Sequence, residues 1–349
     1  MFPYWLLFAV PAFVSLFEYP RHPFKGEKAL FVLAIALIGV MVGLRYEVGG
    51  DWFNYLGHLD SAYSLRFEEI PQAGDPGYVL LNWVVSRLGG DIWLVNLLCG
   101  GLFAFGLLRF ARAQPSPWLA LVVAVPYLIV VVAMGYSRQA VAIGLAMLGL
   151  TALMRSQNTV RFMAWVLLAA TFHKTAVLLI PIAALTVDRG RAWVAIWVIA
   201  GTVIGYFVLL EQSVGGMISG YIEAEYQSDG AAIRIAMNAV PAVLLLLFRR
   251  HFPIRKSETR LWVIVAALAL LFVPALFVLP STAVDRLALY MIPLQLVVLS
   301  RVPLAFAPTD RMLRFLSFGV VLYAAAVLYV WLNYATHAQY WLPYQLYPL

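Results

Sequence analysis

Residues 118–134 read Trp118-Leu-Ala-Leu-Val-Val-Ala-Val-Pro126-Tyr-Leu-Ile-Val-Val-Val-Ala-Met134, seventeen residues without a charge. Gly135-Tyr136-Ser137 follows, and then the run 138–154, whose one charge is Arg138 at its start. A helix crosses the hydrocarbon core of a bilayer with about 20 mainly apolar residues, in a range of about 17–25. Comparable runs lie outward from this pair, near 2–17, 29–44, 91–108, 160–172, 175–187, 192–210, 234–248, 260–279, 286–301 and 313–333, which makes twelve. They are too long for barrel strands. The expected fold is therefore all-α: a polytopic membrane helical bundle of about 12 transmembrane helices, forming a single integral membrane domain over 1–349.

Composition supports this reading. Of the 349 residues 63% are hydrophobic and 12% charged, with a mean hydropathy of +0.86. Soluble proteins carry about 25% charged residues, so a cytosolic enzyme, a disordered chain and a nucleic-acid-binding domain are excluded. The pI of about 9.5 does not reverse this, because the basic residues sit in short connections between apolar runs. The lone Cys99 allows no intrachain disulfide and no cysteine-built metal site. The N-terminus lacks a basic leader region and a small-residue cleavage site, and it reads as a retained span rather than a signal peptide.

Two places are ambiguous. The runs 160–172 and 175–187 are short and are split by Phe172-His173-Lys174, so they read as two short spans or as one broken helix with a re-entrant piece. The segment 78–88 is too short and too polar for a confident span and reads as an amphipathic or partly inserted helix within an outer loop, 45–90. A second outer loop is expected at 211–233.

Charge gives the orientation. One set of alternate connections holds 17 of the 24 Lys and Arg and five of the 17 acids, a balance of +12; the rest holds seven bases and twelve acids, −5, and the two sum to the stated +7. The positive-inside rule puts the first set in the cytoplasm. The expected setting is the bacterial inner membrane, multi-pass, with both chain ends outside. The seven outer bases are Arg45, Arg66, Arg87, Arg138, Lys174, Arg234 and Arg286. Four of them, Arg45, Arg138, Arg234 and Arg286, stand where a run meets the outer face. Orientation alone does not call for them there. Snorkelling or local salt bridges explain any one of them, such as Arg286 beside Asp285 or Arg45 near Asp51. Convergence on an anion explains all four, since the guanidinium fork stays charged and binds phosphate bidentately.

These arginines stand inside short motifs. The first loop reads Arg45-Tyr46-Glu47-Val48-Gly49-Gly50-Asp51-Trp52-Phe53-Asn54-Tyr55. The others are Ser137-Arg138-Gln139, Phe172-His173-Lys174-Thr175, Gly230 followed by Arg234, and Asp285-Arg286 followed by Tyr290. In this order they resemble the EpsG-like family of exopolysaccharide polymerases, related in role to the Wzy-type O-antigen polymerases. The resemblance runs over roughly 29–300, and the 45–55 stretch is its most specific part. It implies a GT-C-like glycosyltransferase architecture. It also implies a substrate, an oligosaccharide repeat unit on undecaprenyl diphosphate, transferred onto a hydroxyl of another lipid-linked repeat at the periplasmic face. Membrane lipid, a chain-length regulator and a flippase are the partners it implies. On this reading Arg45, Arg138, Arg234 and Arg286 bind the diphosphate and first sugar, with Tyr55, Gln139, Lys174 and Tyr290 beside them. Asp51 and His173 are the two candidates for the catalytic base. No Walker or dinucleotide glycine pattern and no Asp-x-Asp or His-x-x-x-His pair occurs, so neither a nucleotide nor a metal cofactor is expected. Three rival readings remain. One is an O-antigen ligase or other lipid-linked-sugar transferase using the same arginines. Another is an acyltransferase with His173 as base, which would need that histidine on the cytoplasmic side. The third is a transporter or flippase, which usually shows paired repeats, and none is visible here.

Overall fold

The computed structural model describes residues 1–18, 26–186, 196, 199 and 230–347. Almost all of the expected run 192–210 and of the loop 211–233, and the connection at 19–25, lie outside the described residues. The described chain is all-α apart from one short strand pair, with fifteen α-helices. They are α1 Phe2–Phe17, α2 Glu27–Gly43, α3 Trp52–Ser64, α4 Pro76–Arg87, α5 Ile92–Ala111, α6 Pro117–Ala124, α7 Ser137–Ser156, α8 Thr159–Phe172, α9 Ile180–Thr186, α10 Ala231–Phe248, α11 Lys256–Ala275, α12 Ser281–Ala288, α13 Ile292–Leu299, α14 Val302–Phe306 and α15 Asp310–Tyr334.

Six segments are long and apolar enough to cross a membrane: α5, α7, α10, α11, the continuous Ser281–Leu299 piece made by α12 and α13, and α15. Six of the about twelve expected runs thus form helices of spanning length among the described residues. The remaining runs form shorter apolar helices, and the reasons are local. At about 1.5 Å per residue, the 14 residues of α8 fall short of a core about 30 Å thick. The run at 118–134 starts as α6 and then widens into a π-helix over Val125–Ala133. Pro126, which has no N–H to donate, sits at that transition.

α7 lies at the centre and is buried on almost every side, packing between α5 and α8. Glycine permits the closest approach: a Cβ on Gly106 of α5 would stand 2.1 Å from the Gly144 carbonyl oxygen of α7. α2 covers the other side of α5, and α10 pairs with α11. Facing its neighbours with Val, Leu and Ala, this layer needs no water on either surface. Lipid covers the outside, where Leu33, Leu247, Leu271 and Phe315 are exposed.

Both ambiguous segments resolve. The segment 45–90 contains two α-helices rather than one: α4, as expected, and α3, which packs against it. α8 ends at Phe172, His173 adopts an extended conformation (φ −153°, ψ 109°), and a 3-10 turn over Lys174–Leu179 leads into α9. α9 packs back against α8 and against α11. The helix is broken at the histidine.

The C-terminal segment clamps the first loop, which the sequence reading did not anticipate. Arg45–Tyr46 pairs antiparallel with Gln345–Leu346, with Arg45 opposite Leu346. Gly49 N–H donates to the Tyr340 carbonyl at 2.8 Å, at a positive φ of 106° that favours glycine. The Trp341 indole packs on Gly135, and its Nε1–H donates to the Val130 carbonyl at 2.7 Å. Trp341 is 1% exposed. Trp341→Ala should cost about 3–5 kcal/mol, the usual range for a large buried aromatic. A lowered thermal midpoint of the detergent-purified protein would show it; an unchanged midpoint would mean the clamp contributes little.

Candidate functional site

The polar residues gather at one end of the bundle. Helix starts bring Ser137, Arg138 and Gln139 on α7, Arg234 on α10, and Asp285 and Arg286 on α12 to that end. The α8 break supplies His173, Lys174 and Thr175, and the turn before α4 supplies Asp75.

Arg138 binds Asp75, Nη1 to Oδ2 at 3.0 Å, and its guanidinium lies 5.7 Å from the centre of the Tyr78 ring. The other Asp75 oxygen accepts from the Lys174 backbone N–H at 3.3 Å. Asp75 therefore ties α7 to the break after α8. Burial pushes its carboxyl above the usual range, against the pull of Arg138 and Lys174. Sequence reading passed over Asp75; the signal available was an Asp-Pro-Gly helix start facing an unexplained arginine.

His173 sits with two hydroxyls. Thr175 Oγ1 is 2.6 Å and Tyr290 OH 3.4 Å from its Nδ1, and the two hydroxyls are 3.3 Å apart. Nε2 has no partner among the described residues. Burial first, then the positive charges of Arg138 and Arg286, hold the imidazole down to about 3 from an ordinary value near 6.5. His173 is thus neutral at pH 7. Thr175 was quoted only as part of its motif and emerges as a direct neighbour of the ring.

On the facing helices, Arg234 makes a bidentate pair with Asp285, Nε to Oδ1 at 2.8 Å and Nη2 to Oδ2 at 2.7 Å. The expected local bridge from Asp285 to Arg286 gives way to this one because consecutive helical residues point in different directions. Arg286 lies with its guanidinium 5.9 Å from the Tyr136 ring centre. The Gln139 amide, 2% exposed, donates to the Arg286 carbonyl at 2.6 Å, so Gln139 holds α12 to α7. The Gln139–Arg286 bond brings the start of α12 to that of α7, and the Arg234–Asp285 pair adds the start of α10. Arg138, Arg234 and Arg286 therefore stand on adjoining helix starts in one region. Asp51, at the start of α3, is half-buried beside it, and its carboxylate makes no hydrogen bond or ion pair among the described residues.

Arg45 stands apart. It is 1% exposed, donating from Nε to the Val48 carbonyl at 3.1 Å, from Nη2 to Ser137 Oγ at 2.6 Å, and to the Val42 carbonyl and Asn96. The expected Arg45–Asp51 bridge is absent, because the turn at Gly49 carries Asp51 away from it. Arg45 instead pins the end of α2 to α5 and α7. Tyr55 is likewise buried, against Tyr78 at 5.8 Å between ring centres. Arg45→Ala would strand several carbonyl and hydroxyl acceptors, at about 1–3 kcal/mol for each buried group left unpaired. It should lower the amount of folded protein in the membrane. Normal abundance with lost function would return Arg45 to the substrate site.

The tyrosine and arginine neighbours give this end several donors and fixed positive charge in a partly enclosed setting, which suits a phosphorylated or otherwise anionic substrate. No group of three or more His, Cys, Asp and Glu converges as a metal site among the described residues.

The architecture is that of a multi-pass helical membrane protein with a basic, histidine-containing site at one end of its bundle. A model of the EpsG family matches residues 28–346. The chain belongs to the EpsG family, which implies a part in exopolysaccharide biosynthesis. The match extends beyond the motif-bearing region to the C-terminal clamp. None of the curated proteins and none of the solved structures matches the chain.

Proposed function

We propose that the protein is a polysaccharide polymerase, a membrane glycosyltransferase of GT-C-like architecture in the bacterial inner membrane. It transfers an undecaprenyl-diphosphate-linked glycan onto a hydroxyl of another lipid-linked repeat unit. The observation that supports this reading is the joining of three arginine-bearing helix starts, with Gln139 next to Arg138 bonded to the Arg286 carbonyl, Arg286 beside Tyr136, and Arg234 paired with Asp285. The acceptor oxygen attacks the anomeric carbon of the donor glycan. The bond from that carbon to the diphosphate oxygen breaks, and the lipid diphosphate leaves with the electron pair. Negative charge grows on the leaving group, and preorganised cations placed there lower the barrier.

The proton of the attacking hydroxyl goes to a base. His173 is one candidate, with Thr175 and Tyr290 at its Nδ1 and Nε2 left for the hydroxyl; burial and the arginines make it a weak base, so it takes the proton only as negative charge grows on the leaving diphosphate beside it. Asp51 is the second candidate, its carboxylate directed at no partner of its own. Asp75 and Asp285 hold Arg138 and Arg234 before substrate arrives; a diphosphate would share or displace those pairs. Lys174, Gln139 and Tyr290 position the site. A chain-length regulator and a flippase are the proposed partners.

The proposed topology has about twelve crossings, with the short apolar helices and the run 192–210 completing the count and the site on the periplasmic side. A cysteine placed at exposed Ser64 should be labelled from outside intact cells, and one at Ser257 should not; Cys99 is buried and silent. The reverse pattern would put the site in the cytoplasm. Deleting the gene and sizing the surface glycan tests the reaction class. Single repeat units support a polymerase, full-length unattached chains a ligase, and loss of export a flippase.

A further inference from the structure

The opposite end of the bundle holds a cleft of about 520 Å³ lined by Gln114, Arg155, Arg255, Glu258 and Arg301, among others. The elements explain its position. α5 and α7 end there, α11 begins there, and α13 ends just before Arg301. It is therefore separate from the His173 site, which lies where α7 and α12 begin.

Three guanidiniums face one carboxylate in this cleft. Glu258 is already engaged: its Oε1 accepts from Arg255, and its Oε2 is 3.8 Å from Arg301 Nη2. Arg301 is 3% exposed. Its Nη1 donates to Gln114 and to the Val297 carbonyl, while its Nε has no hydrogen-bond partner. A buried guanidinium with an unused donor and a distant counter-charge is costly. Arg155 is exposed at the cleft mouth and has no ion-pair partner among the described residues. The cleft thus carries two positive charges in excess, on donors whose planar forks match a tetrahedral oxyanion.

We propose that this cleft is a second anion site that binds a phosphate group, with Arg155 and Arg301 as its principal donors. The phosphate comes either from the headgroup of an anionic phospholipid in the adjoining leaflet or from free phosphate, and both present the same oxygens. Binding would neutralise the excess charge and tie the ends of α7, α11 and α13 together. A ligand that binds the folded state alone raises its thermal midpoint.

The test uses the full chain in phosphatidylcholine nanodiscs, followed by tryptophan fluorescence on heating. One arm replaces part of the phosphatidylcholine with phosphatidylglycerol. The other adds inorganic phosphate against chloride at matched ionic strength. The expected result is a rise in midpoint in one arm, which identifies the source. In Arg155→Gln the apparent affinity should fall about tenfold or more. Arg155→Lys should recover only part of it, because a lysine lacks the fork. Arg155 is exposed, so its variants keep the fold; Arg301→Lys, which retains the charge, serves as the buried counterpart and should also weaken binding. No shift in either arm, or a shift undiminished in Arg155→Gln, would overturn the proposal. None of these readings depends on glycan synthesis, so failure here leaves the polymerase reading standing.

Discussion

Arg138→Ala is expected to reduce chain extension by about 10²–10³-fold, the usual loss when one preorganised donor to a developing negative charge is removed. The protein should still reach the membrane at normal levels, because Arg138 is the most open member of its pair, with its side chain 28% exposed against 10% for Asp75. Arg138→Lys should be nearly as damaging. A lysine keeps the charge but cannot hold Asp75 and a phosphate oxygen in the geometry of a planar fork. Glycan length and membrane abundance, measured together, separate loss of catalysis from loss of protein. Asp75→Asn provides the complementary reading: it leaves Arg138 charged but unanchored, and should shorten chains less than Arg138→Ala does.

The second large effect is expected at His173. Removing a general base typically costs about 10²–10⁴-fold, and His173→Ala should fall in that range with normal abundance. Asp51→Asn decides between the two candidates for proton acceptor. If His173 takes the proton, Thr175→Val and Tyr290→Phe should each slow the reaction moderately by freeing the ring, whereas Asp51→Asn should be mild. If Asp51→Asn alone abolishes extension, the proton goes to the carboxylate and His173 serves to position substrate. Normal chain length in both His173→Ala and Asp51→Asn would remove both from the mechanism and leave the arginines to account for catalysis.

The membrane class, the helical bundle and the family were legible in the sequence because each depends on local signals. Apolar runs of spanning length, loop charge asymmetry and ordered motifs can all be read without knowing what touches what. Arg138, Arg234 and Arg286 were singled out by the same signals, since each stands at or near the start of an apolar run. What the sequence hid were pairings between segments far apart in the chain. Arg45 looked like its fellow arginines, yet it is consumed by carbonyls at Val42 and Val48 and by Ser137 Oγ. Asp285 was assigned to its neighbour Arg286 because they are adjacent, whereas helix geometry hands it to Arg234 on α10. Asp75, passed over in the sequence, pairs with Arg138 from 63 residues away. The C-terminal clamp is built on Trp341 and a two-residue strand pair, too short to leave a β pattern. Of the expected runs, six form helices of spanning length among the described residues; hydropathy does not register the π-helical stretch at Val125–Ala133, which is set by backbone hydrogen bonding, whereas the break at His173 showed as the split between 160–172 and 175–187.

The central claim is that the arginine-lined end of the bundle transfers a glycan from a lipid diphosphate. The most direct measurement reconstitutes the purified protein in liposomes with undecaprenyl-diphosphate-linked repeat units and no nucleotide sugar, and follows both chain length and released undecaprenyl diphosphate. The account predicts a ladder of longer glycans, one lipid diphosphate released per bond formed, and both signals lost together in Arg138→Ala. Folded wild-type protein that yields neither polymer nor released lipid diphosphate, or an Arg138→Ala variant that matches the wild type in both, would contradict it.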